Sequence, residues 1–497
     1  MSEGHKQTMK RSFILNPVIP TKDFSPRGGT CCWPGVRLNH MDPKKRLYFL
    51  LSFCLIALGS ASAQTPQFVP FSAVQPVLNA YLSSLPAELK PAGQPTAAAW
   101  DKWVRSQDKE IRERIEEGEE NTLTNLLRLG VTYTKQARIT YDYLERYGNS
   151  SFVDSLADKR ANDLIHALAA PHLSEGMLEM KALLEKKGYS LKTPAEQKKV
   201  KAYLLANLAR LRDDVNRDKQ RAKTNKYQAF EDRGISTDSN LYPDYTIELH
   251  LRHMMEQGLL KPDSVHRVAI IGPGLDFVNK KSGSDFYPPQ STQPFAVIDT
   301  LARLGLADPE KIEVYTFDIS SRVNKHLERA RREAAAGKPY TIQLLASPSD
   351  GWSKTYLSGF LEFWQKLGQR VGKPAKAIPV PEEVSDIWNR AISVRPSVVR
   401  RVTPVDMNVV FQTVPLPPDK QFDLVIGTNI FVYYDSLDQS LARANLGTMV
   451  RAGGYLLTNE ALPAKAPSKL ADSLQTAVPI TTTDRPLTDY MFSYARK

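Results

Sequence analysis

The chain has 497 residues, 42% of them hydrophobic and 24% charged, with a formal net charge of +12. That length is more than one ordinary hydrophobic core organises, so two domains are expected, and the composition is that of a soluble globular protein and excludes disordered, collagenous and multi-span membrane classes. Residues 1–63 hold 9 Lys/Arg against 3 Asp/Glu, half of the positive surplus; the remainder is close to balance, and no nucleic-acid partner is expected.

Cys31, Cys32 and Cys54 all precede residue 64, so the rest of the chain has neither disulfides nor thiolate metal ligands. Residues 1–40 show no periodicity, and Met41 is read as the true start. Lys44-Lys45-Arg46 follows as a basic region, Leu47 to Leu58 as an apolar one, and Ala61-Ser62-Ala63 as a small-x-small cleavage site before Gln64. This is the pattern of a secretory signal peptide over 41–63, and it predicts cleavage after Ala63 and an exported protein, periplasmic or secreted. Membrane contact is expected only through this leader, if it stays uncleaved; if the leader reading is wrong, the protein is cytoplasmic.

From Ala97 to about Asn225 apolar residues recur at three and four: Ile111 and Ile115, Leu123, Leu126 and Leu127, Leu164 and Leu168, Leu204, Leu208 and Leu211. Residues 64–235 are therefore expected as an all-helical domain with charged outer faces. The basic run Arg217 to Lys226 reads as a solvated helix face or linker. Pro243-Asp244 opens a further helix, with Ile247, Leu251 and Met254 inward and Gly258 as its stop. His250 and His253 lie three apart on it; with no third ligand nearby they read as surface histidines, and no metal site is expected.

Residues 236–497 change character. Val268 to Ile271 is a short, β-branched apolar run, as a strand buried on both faces of a parallel sheet requires, and it ends in Gly272-Pro273-Gly274. A strand that enters a glycine turn and then a helix opens a nucleotide-binding α/β domain. The loop 275–293 is aromatic and proline-rich (Phe277, Phe286, Tyr287), and its rings either cover a ligand or plug the sheet edge. Ile312 to Phe317 is a second strand ending in Asp318, which either accepts hydrogen bonds from a ribose or caps the helix that follows. Residues 345–390 read as an insertion carrying an amphipathic helix with Trp364, and a third strand within 392–408 ends near Asp406-Met407-Asn408. Phe422 to Asn429 is a fourth strand, Arg451 to Glu460 a glycine turn into a fifth, and Tyr490 to Ala495 a last one. The expected fold is α/β: a doubly wound, mostly parallel Rossmann-like sheet with an antiparallel final strand, preceded by the helical domain.

The stretches Phe317–Arg331, Asp406–Asn408, Phe422–Asp435 and Arg451–Glu460, taken in this order after the glycine turn, resemble the class I S-adenosylmethionine-dependent methyltransferases, and among them most resemble the chemotaxis-receptor carboxyl methyltransferases. The resemblance covers about residues 262–497 and implies S-adenosylmethionine as cofactor. It places Gly272 and Gly274 at the methionine part, counts Asp276 among the cofactor-binding residues, and places Asp318 at the ribose, Asp406, Met407 and Asn408 around the adenine, and Asn429 and Tyr433 beside the sulfonium and the acceptor. Asp276 stands where many relatives have a third glycine, and Gly427-Thr428 replaces the Cys-Arg usual in the chemotaxis group, so the acceptor, a small molecule or a protein side chain, is not assigned. Tyr433, Tyr434 and Asp435 either position substrates or simply pack the strand end and its turn. Methyl transfer from a sulfonium is an in-line displacement that asks mainly for alignment and exclusion of water. Against this stands a second reading, an exported protein that keeps the fold and only binds a ligand or partner, because S-adenosylmethionine is expected inside cells.

Overall fold

The apolar run after His266 becomes the centre of a seven-stranded sheet. The computed structural model describes residues 65–147, 150–221, 234–237, 241–276, 285–346, 355–482 and 486–497; the leader with its three cysteines, the end of the basic run and Phe277 lie outside them. Residues 64–497 belong to one compact unit. Among the described residues no helix is long and apolar enough to cross a membrane.

Helices come first, among them α1 (Phe71–Ala80), α2 (Ala97–Leu129), α3 (Ser151–Ala169), α4 (Glu175–Lys186), α5 (Pro194–Arg221) and α6 (Leu241–Glu256), with a short helical stretch Tyr141–Tyr147 between α2 and α3. Then follow β1 (Arg267–Ile271), α7 (Gln293–Arg303), β2 (Glu313–Asp318) and α8 (Ser321–Ala335). An inserted piece holds β3 (Tyr340–Ala346), α9 (Ser358–Lys366), β4 (Gly372–Ala375) and β5 (Trp388–Val394). The chain closes with β6 (Val402–Asp406), β7 (Phe422–Gly427), α10 (Ser436–Met449), β8 (Val450–Thr458), β9 (Leu470–Pro479) and β10 (Thr488–Arg496).

The main sheet has the order β9-β10-β8-β7-β1-β2-β6. Strands β8, β7, β1, β2 and β6 pair in parallel, and β10 is antiparallel to both its neighbours. The final strand is thus the antiparallel one, and the carboxyl ends of the parallel strands share one edge. The chain leaves β1 on one side through β2 and β6 and returns to its other side with β7, so the topological switch lies between β1 and β7, where such sheets bind ligands.

Alternation along each strand builds two cores. Val268 and Ile270 of β1, with Leu424 and Ile426 of β7, face a cluster that includes Leu251, Phe295, Ile298 and Leu327. Ala269, Ile271 and Val425 face the other, with Val77, Trp100, Val104, Ile111 and Ile115. Helix α2 is shared: its first half covers the sheet, while Leu123, Leu126 and Leu127 join α3, α4 and α5 in a cluster of their own.

Three sequence expectations change. The insertion starts at Tyr340, because Tyr340–Ala346 is the first strand of an antiparallel sheet, β3-β5-β4. Strand β9 lies along β10 at the sheet edge. It also packs over α6, so His250 is fully buried and shares Thr476 Oγ1 with its Nδ1 at 2.8 Å, with His253 Nδ1 at 3.1 Å from the same oxygen. His250 is therefore no surface histidine, and burial followed by the His253 charge pushes it down to about 4.

Candidate functional site

The switch point is built from strand ends. At the end of β1, Gly272 has φ of +60°, and a Cβ there would meet Ile430 Cδ1 at 2.2 Å, so a side chain would be strained and would have to displace Ile430. Its N–H donates to Phe317 O at 2.9 Å, which ties the turn to β2. Asp276, past the second glycine, exchanges backbone hydrogen bonds with Gln290, 2.7 and 2.9 Å.

At the end of β2, Asp318 is buried, and its Oδ1 accepts the Ser320 N–H at 2.8 Å. The cap of α8 is Ser320, whose Oγ accepts from Val323 N, so Asp318 is not the capping residue and its carboxyl is left to face the cleft. Burial pushes the Asp318 carboxyl up to about 7, helped by Asp406 and Glu119 and opposed by the Ser320 N–H. At the end of β6, Met407 is buried and Asn408 Nδ2 donates to Asp108 Oδ1 at 2.9 Å. Asp406 is more than half exposed and pairs with Arg112 at 2.9 Å.

At the end of β7, Gln293 Nε2 donates to Thr428 Oγ1 at 2.9 Å. Asn429 is exposed, has φ of +59°, and exchanges two hydrogen bonds with Asn459, 2.7 and 2.8 Å. A non-glycine residue in that region is uncommon and marks a place where local geometry outweighs strain. Tyr433 is buried, and its carbonyl accepts from Arg114 Nη2 at 3.0 Å.

One cavity of about 60 Å³ gathers most of these groups. Gly272, Gly274, Asp318, Met407, Asn408 and Asn429 line it; Asp276, Asp406 and Tyr433 do not, and Tyr434 stands in the wall where Tyr433 was expected. The remaining wall includes Ile115 of α2, residues 235–237, Gln293 and Thr428. The cavity has room for a few water molecules, well short of the 300 Å³ or so that a small-molecule site begins at.

Helix α2 is what narrows it, and the sequence reading missed this. Asp108 holds Asn408, Arg112 holds Asp406, Arg114 holds the Tyr433 carbonyl, and Glu119 accepts from Ser320 Oγ at 3.0 Å. Residues 234–235 lie directly on the helix: Ile235 N donates to Arg114 O at 2.8 Å, and a Cβ on Gly118 would sit 1.7 Å from Ile235 O. The trace in the sequence is that Asp108 and Glu119 occupy the same helix stripe as Val104, Ile111 and Ile115, where apolar residues belong.

Elsewhere, Glu175, Glu179 and His326 bring ligand atoms within 4.8 Å of one another. Each is already engaged: Glu175 and Glu179 by Arg329 and Arg322, and His326 by Arg329 and Tyr340. Two guanidinium groups supply the positive charge there.

No protein-family model and no curated protein matches the sequence. Solved structures that resemble the chain include magnesium protoporphyrin IX methyltransferase (ChlM) from Synechocystis PCC 6803 with bound SAM, 13% identical, with 51% of this chain and 80% of that one covered and a TM-score of 0.24. The glycopeptide N-methyltransferase MtfA complexed with (S)-adenosyl-L-methionine is 13% identical, with 50% and 66% covered and a TM-score of 0.19. TrmN from Thermus thermophilus is 11% identical, with 51% and 52% covered and a TM-score of 0.23. Likeness of this degree leaves the fold resting on the strand order described above.

Proposed function

We propose that the cleft at the carboxyl ends of β1, β2, β6 and β7 binds S-adenosylmethionine and that the protein is a methyltransferase whose acceptor is unassigned. One observation carries this: residues 157 positions apart in sequence, Gly272 and Asn429, converge with the other strand ends on a single cavity at the switch point. The donor set fits the group. Gly272 offers bare backbone where a side chain would fill the cradle, and Asp318 offers a carboxyl free of capping duty. Met407 offers an apolar wall for a base. S-adenosylmethionine supplies a methyl group on a positive sulfonium. The chain's own part is to hold the ribose through Asp318, to keep water out with Ile115 and Tyr434, and to present the acceptor beside Asn429.

Binding requires α2 and residues 234–237 to draw back from the strand ends, since the cavity is smaller than the cofactor. The same contacts favour a second reading, a fold that binds a ligand or partner without catalysis, because Asp108, Arg112 and Glu119 occupy polar groups that a cofactor would use. Export through the leader is proposed alongside. Calorimetry of the full chain with S-adenosylmethionine and with its demethylated product decides between the two: binding of both supports the enzyme, and absence of either at millimolar cofactor removes it.

A further inference from the structure

Several buried acids are matched to bases. Glu248 and Asp299 share Arg303 at 2.6 and 2.7 Å, and Glu120 holds Lys187 at 2.6 Å. Asp244, which is buried, and Glu460 and Asp489, which are half-buried, are not so matched. Among the described residues none of the three faces a histidine, lysine or arginine; the charged neighbour of Asp244 is Asp276, and that of Glu460 is Asp489. Asp244 is 3% exposed and its Oδ1 has no hydrogen-bond partner, and Glu460 Oε2 is likewise buried and unpartnered. Uncompensated carboxyls in such places cost stability, so they persist where something else is gained.

All three lie beside the tip of β7. Gln293 bonds Thr428 and lies beside the Asp244 side chain. Asn429, the next residue, is locked to Asn459, which lies beside Asp489 and directly precedes Glu460. Thr246 Oγ1 of α6 donates to Asp489 Oδ2 at 3.1 Å and fixes it from the other side. Acids from α6, from the end of β8 and from the start of β10 therefore flank the one exposed strand-end residue that the cofactor reading sets beside the acceptor.

We infer that this flank is the acceptor subsite and that it takes an amine, bound as its ammonium ion by Glu460 and Asp489 with Asp244 behind Gln293. For its reaction the inference rests on the methyltransferase reading; the binding of a cation does not. Before it can act as a nucleophile the ammonium must lose a proton. One N–H bond breaks, the proton passes to a carboxylate oxygen of Glu460, and the electron pair stays on nitrogen, leaving a neutral amine and a neutral acid. Burial and the Asp489 charge push Glu460 up to about 8, and burial and Asp276 push Asp244 up to about 7, which makes a carboxylate here a stronger base than one in water.

The test uses the full chain without cofactor and three probes of one size: n-butylamine, n-butanol and butyrate, titrated by calorimetry in two buffers of different ionisation enthalpy. The expected result is a preference for the amine over the alcohol of about tenfold or more, no preference for butyrate, and proton release on amine binding near neutral pH. Glu460→Gln with Asp489→Asn should abolish the preference while the melting temperature holds or rises; Glu460→Gln alone serves if the double variant does not fold. Equal binding of the three probes, preference for butyrate, or an amine preference that survives the substitutions overturns the inference. Parallel titration with S-adenosylmethionine separates the two readings. Amine preference without cofactor binding keeps the subsite and removes the methyltransferase, whereas cofactor binding without amine preference does the reverse.

Discussion

Replacing Asp318 with asparagine keeps its volume and its contact with Ser320 while removing the charge. The carboxyl is buried and its proton affinity is raised to about 7, chiefly by burial. In the absence of cofactor the sign is clear: the folded protein holds this proton where the unfolded chain has lost it. The group's stabilising share is therefore full below the ordinary carboxylate range and is lost as pH rises from there to about 7. Cofactor binding reverses the preference, because ribose hydroxyls donate and so select the ionised form. Two such bonds to a charged acceptor are worth roughly 1.5–3 kcal/mol, so Asp318→Asn should weaken S-adenosylmethionine about ten- to a hundredfold. Wild-type affinity should rise between about pH 6 and about pH 8, while the variant's stays flat. The variant should also melt higher than wild type at neutral pH. Calorimetry across pH, with melting curves on the same samples, reads all three effects. Unchanged affinity in the variant, or a pH-independent wild type, would refute the role given to Asp318.

Arg112→Ala removes the guanidinium that α2 shares between Asp108 and Asp406, both contacts being about a third exposed on the arginine side; it should cost about 1 kcal/mol of stability and speed cofactor binding a few-fold, measured by melting and by stopped-flow fluorescence. Gly118→Ala puts a methyl group where the Ile235 carbonyl lies, so residues 234–237 must leave the helix, at a cost of about 1–3 kcal/mol; a variant as stable as wild type in thermal unfolding would contradict that packing. N-terminal sequencing of protein from its native cell should begin at Gln64; a mature chain that still carries residues before Met41 would refute the leader reading.

The α/β half is legible in the sequence because strands buried on both faces must be short and β-branched, as Val268–Ile271 and Leu424–Ile426 are. Asp318 and Asn429 stand out for the same reason, as polar residues directly past such runs. Strand β9 hides because it is an edge strand with polar residues such as Asp472, Ser473 and Gln475, so apolar content does not mark it. His250 looks exposed on its own helix because nothing local announces that Thr476 will cover it. The covering of the cleft by α2 is a contact between Asp108 and Asn408, 300 residues apart, and periodicity within either segment cannot report it. Only the misplaced acids on the α2 stripe hint at it.

Helix α2 has 33 residues, a rod about 50 Å long at 1.5 Å per residue. One end is clamped to the strand tips through Asp108, Arg112 and Glu119, and the other is embedded among α3, α4 and α5 by Leu123, Leu126 and Leu127. Such a rod transmits tilt. Any partner that grips the helical cluster and rotates the far end also sets how firmly the near end presses on the cleft, and a ligand that lifts the near end changes the surface offered at the far one. The two occupancies are thereby coupled, and the coupling free energy is the same whichever of them is filled first.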